Sequence, residues 1–92
     1  MGEISDLRTQ ILDNIQVLYP DFKTDARFIL TCNIDDGHEE WTVILGRPIL
    51  DRHRQYADIY GTGIGGTPEA AYRDLLKNTA MELHDLGYTW NW

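Results

Sequence analysis

The turn Asp35-Asp36-Gly37, set between two alternating runs, limits the folds open to this chain more than any other feature. Asp-Gly tolerates the positive φ angles that a tight hairpin demands. On its N-terminal side, residues 26–34 place Phe28, Leu30, Cys32 and Ile34 in alternation with Arg27, Ile29, Thr31 and Asn33. That period of two predicts a strand. On its C-terminal side, residues 40–46 predict the return strand, with Trp41, Val43 and Leu45 on one face. An antiparallel sheet is therefore the nucleus around which everything else must pack.

Two helices flank it. Ile4, Leu7, Ile11, Ile15 and Leu18 recur at helical spacing and predict a helix from Asp6 to Tyr19, capped by Ser5 and stopped by Pro20. Gly46, Pro48 and a polar run predict a loop through Arg54, followed by a third strand over Tyr56–Tyr60. Gly61, Gly63, Gly65 and Gly66 are expected to end the sheet. Thr67 as N-cap, Pro68 in the first turn and Glu69 after it open a second helix that runs to about Leu86. Its expected buried face is Ala71, Tyr72, Leu75, Leu76, Thr79, Leu83 and Leu86, closed by His84 and Gly87. The expectation is a single α+β domain over residues 1–92. It has a three-stranded antiparallel sheet with both helices on one face and the other face open, in the order α-β-β-β-α.

Charge narrows the partners. The chain carries a net charge of −7. Residues 1–46 hold nine acids and three bases, residues 47–92 six acids and five bases. Such a chain is repelled by bare phosphate backbone and steered towards basic surfaces. Tight binding of free nucleic acid is not expected. Neither a membrane span nor a signal peptide reads from the sequence, and Cys32 is the single cysteine. These features lead to the expectation of a cytoplasmic protein.

Several motifs look chemical at first sight. Gly61-Thr62-Gly63-Ile64-Gly65-Gly66 matches G-x-G-x-x-G. A dinucleotide site would need a second parallel strand with an acid about 20 residues on, and none reads after this helix. A phosphate at the helix N-terminus would face Glu69 without nearby Lys or Arg. Cys32 reads as a small core residue. His38, His53 and His84 lack metal-ligand spacing, and the acids around the turn do not match a calcium loop. No catalytic residue, cofactor or metal is therefore expected, and the chain is read as a non-enzyme.

Three binding features remain. Asp35, Asp36, Glu39 and Glu40 form an acidic hairpin suited to a basic partner. Arg47, Arg52, His53 and Arg54 form a basic loop suited to phosphate or an acidic protein surface, because arginine pairs with both through its planar fork. Trp90 and Trp92 offer an aromatic interface.

The helix–strand–strand–strand–helix order resembles that of the double-stranded RNA-binding domain. Gly37-His38 in the first turn, Trp41 opening the second strand and Gly61-Thr62-Gly63 before a capped helix carry the likeness. That family grips phosphates with a lysine-rich start to its second helix. Here Thr67-Pro68-Glu69-Ala70-Ala71-Tyr72-Arg73 holds no lysine. The resemblance implies a related domain that scaffolds or forms a homodimer through its helix faces or aromatic tail. The whole profile, small, acidic and without reaction chemistry, is also similar to phage-encoded anti-CRISPR proteins. That likeness implies an inhibitor or modulator bound to a nucleic-acid-handling complex such as a CRISPR surveillance complex. It would block a nucleic-acid surface there, with its loop arginines in reach of guide RNA or an acidic patch.

Overall fold

Helix α1 covers Glu3–Leu18, strand β1 Arg27–Asp35, β2 His38–Asp51, β3 Arg54–Gly65, and helix α2 Pro68–Asp85. These elements belong to a computed structural model that describes residues 3–20, 26–51 and 54–87, with backbone alone at 48–51 and 54–58. The three strands form one antiparallel sheet in the order β1-β2-β3, and the helices pack against it. The α-β-β-β-α arrangement expected from the sequence is therefore the one observed.

The first hairpin forms for the reason its sequence suggests. Asp35 pairs with His38, leaving a two-residue turn in which Asp36 has φ 51° and Gly37 φ 80°. Both angles belong to the primed turn that matches strand twist. The register then sets Phe28 opposite Leu45, Leu30 opposite Val43 and Cys32 opposite Trp41. Gly61, Gly63 and Gly65 continue the same face across β3.

This inner face meets the helices. Leu7, Ile11 and Ile15 of α1, Val43 and Leu45 of β2, and Ala71, Tyr72, Leu75 and Leu76 of α2 form one buried cluster. Arg8 lies 5.1 Å above the ring of Phe28 and 5.6 Å from that of Tyr72, tying α1 to the start of β1. The buried hydroxyl of Thr79 donates to the Leu76 carbonyl and accepts from Asn14 Nδ2, so this polar group within the core is satisfied. Arg73 and Glu3 join the helices by an exposed ion pair, which adds little stability.

Several expectations are corrected. Helix α1 begins at Glu3, so Ser5 lies inside it, and its carbonyl accepts from Thr9 Oγ1. The segment from Gly46 to Asp51 is strand, where a loop was expected. Register shifts on both sides of Pro48 let the central strand accommodate a residue with no N–H. The glycines from Gly61 to Gly65 continue β3. Leu86 is exposed, because α2 ends just before it. Gly87, at φ 90°, closes the helix, its N–H donating to the His84 carbonyl.

The glycine run exists because α2 lies against it. A Cβ on Gly63 would come within 2.5 Å of Leu75 N and collide with the Ala71 carbonyl. One on Gly65 would lie 2.6 Å from the Ala70 backbone. Gly66 has open space around its Cα. Gly63→Ala is therefore expected to destabilise the domain by about 3 kcal/mol, since helix backbone must move. Gly66→Ala should change stability by less than about 1 kcal/mol. Urea unfolding of the two variants beside the native chain measures the difference.

Candidate functional site

The sheet has two regions that the helices leave open. The first is its outer face. Register places Ile29, Ile44 and Thr62 in one row, and Thr31, Thr42 and Ile64 in the next. Ile59, opposite Gly46, extends the apolar strip. Ile59 and Ile64 are more than half exposed. No described element packs on this face. Alternation explains it: the bulky inner residues had to meet α1 and α2, so their neighbours face away.

Towards the turn the outer face becomes acidic. Asn33, Asp35, Asp36, His38 and Glu40 line a shallow hollow of about 240 Å³. Asp35, Asp36, Glu39 and Glu40 are all exposed. Glu39 accepts a hydrogen bond from Trp41 Nε1 at 3.2 Å and so lies on the helix side of the hairpin. The four acids named from the sequence thus share one end of the sheet without sharing one face.

The basic cluster is arranged differently from its expectation. Arg47 sits in β2 and is half-buried, so it is no loop residue. Arg54 opens β3, and Arg52 and His53 lie outside the described residues, as do Trp90 and Trp92. The backbone nonetheless places the β2–β3 connection at the opposite end of β2 from the acidic turn. In sequence, the acids thus gather at the first turn and the arginines around the second connection.

The second open region is the inner face of β1 beyond the helices. Leu30, Cys32 and Ile34 point to the helix side, yet Ile34 is 68% exposed and Cys32 is exposed too. Cys32 is therefore no core residue: the helices cover the Phe28 end of the strand and stop short of the hairpin. Sequence reasoning missed this because alternation reports which face a residue takes and is silent on how far a helix reaches along it.

A larger hollow of about 520 Å³ lies between the end of α1, β3 and the last turns of α2. Tyr19 and Tyr60 line it, their rings edge-to-face at 5.3 Å, with Thr62, Asn78, Glu82 and Asp85. Asn78 is already engaged, donating to the Thr62 carbonyl. No three His, Cys, Asp or Glu side chains converge on a metal position among the described residues. The α2 N-terminus is occupied by its own cap, with Thr67 Oγ1 accepting from Ala70 N at 3.1 Å.

Cys32 illustrates the electrostatics of the hairpin. Desolvation at the sheet surface, and then the Glu39 carboxylate, hold its thiol above the ordinary value. At neutral pH it is protonated and a poor nucleophile despite its exposure. Alkylation by iodoacetamide is expected to run slower in the folded chain than in denaturant at the same neutral pH. It should quicken as pH rises and in Glu39→Gln, as followed by mass spectrometry.

No family model, curated protein or solved structure matches the chain, so its function rests on this geometry.

Proposed function

We propose that this chain is a non-enzymatic inhibitor or modulator that docks on a basic, nucleic-acid-handling protein complex and blocks a surface meant for nucleic acid. The observation that carries the reading is the uncovered outer face of the sheet, an isoleucine and threonine strip that runs into an acidic end. An apolar centre with a charged rim is the anatomy of a protein-docking patch. The carboxylates supply the sign: they compete for positive groups that otherwise hold phosphate, and they raise the rate of encounter. The arginines clustered in sequence around the β2–β3 connection would add a contact for guide RNA or an acidic patch.

CRISPR surveillance complexes are the partner class we infer, on the strength of the small, acidic, phage-type profile. The site of action is the cytoplasm of the host cell. No helix among the described residues is long and apolar enough to cross a membrane.

The test is a titration of the chain against CRISPR effector complexes of each class, read as loss of target-DNA binding. Inhibition by one class is expected at near-equimolar chain. Asp36→Asn with Glu40→Gln should slow association about tenfold at low salt and flatten its salt dependence. Absence of inhibition in every class, or tight binding of the isolated chain to naked polynucleotide, overturns the proposal.

A further inference from the structure

The two edges of the sheet are treated differently. On β3 the outer edge is occupied by α2. Asp74 Oδ2 accepts from the Ile64 N–H at 2.9 Å, and Asn78 Nδ2 donates to the Thr62 carbonyl at 2.9 Å. These side chains satisfy two of the groups that a further strand would use, at Thr62 and Ile64. On β1 no hydrogen bond from a described side chain reaches the outer edge, and Leu30 to Asp35 are all exposed. An open edge of this length is a template for another strand.

The sequence of β1 says which strand fits. Place a second copy of β1 antiparallel to the first, with Thr31 opposite Thr31. Arg27 then faces Asp35 of the second copy, and Asp35 faces Arg27 of the second copy. On the helix side, Phe28 meets Ile34 of the second copy and Leu30 meets Cys32 of the second copy. The pairing keeps inner residues on the inner face, as antiparallel alternation requires. It joins opposite charges twice and brings the uncovered Leu30, Cys32 and Ile34 beside apolar neighbours. A shift of two residues either way loses both Arg27–Asp35 pairs.

We propose that two copies of the chain associate through β1 in this register, forming a continuous six-stranded antiparallel sheet. The inference stands apart from the docking proposal, since it rests on the strand edge and not on the outer face.

Charge exchange tests it. All proteins carry Cys32→Ser, so that no disulfide contributes, and circular dichroism checks that each is folded. Sedimentation across a concentration series should show Cys32→Ser alone as a dimer. Arg27→Glu and Asp35→Arg, each alone, set like charges opposite one another twice and should weaken the dimer about tenfold or more. An equal mixture of the two restores both opposite-charge pairs and should regain near-native dimerisation. A parent that stays monomeric, single variants that dimerise as well as the parent, or a mixture as weak as its components would each overturn the proposal.

Discussion

The close contact between α2 and the glycines of β3 is the constraint from which the rest of the architecture follows. With no side chain at Gly63 and Gly65, helix backbone settles directly on strand backbone, and Gly61 leaves room for the Leu75 and Thr79 side chains. Leu75 and Leu76 then reach the inner face with Val43 and Leu45, and α1 packs mainly on α2. The same approach puts Asp74 and Asn78 within hydrogen-bond reach of the β3 edge. Because the helices sit over β3 and β2, the hairpin half of β1 is left bare. The exposed positions of the molecule are thus a by-product of where its smallest residues lie.

Much of this was legible in the chain. The Asp36-Gly37 turn gave the hairpin and its register, since a two-residue turn leaves no freedom in pairing. Thr67, Pro68 and Gly87 marked both ends of α2 through capping chemistry that depends on neighbours in sequence alone. The apolar stripe of α1 identified its buried face. What escaped was anything decided by distance in space. The glycines of β3 read as sheet-ending punctuation, although Thr62 and Ile64 between them kept the period of two. Pro48 read as a loop signal, and only register shifts in the ladder show how a central strand admits it. Cys32 read as core from its place in the strand, but burial needed a helix above it.

The functional features divide along the same line. The acidic hairpin was visible because its residues are adjacent in sequence and a turn must be exposed. The isoleucine strip was not, because Ile29, Ile44, Ile59 and Ile64 come from three strands and share a face only once the register is known. Arg47 shows the opposite failure: near Arg52 and Arg54 in sequence, it belongs to a strand and is half-buried.

The part-sealed border of β3 has a consequence for solubility. Runaway stacking of sheets into fibres requires each unit to offer a free side in both directions, so that every addition exposes a new place to add. Here Asp74 and Asn78 already hold the Ile64 and Thr62 end of one border. After joining through the β1 border, a further addition at Thr62 and Ile64 of β3 would first have to displace Asp74 and Asn78.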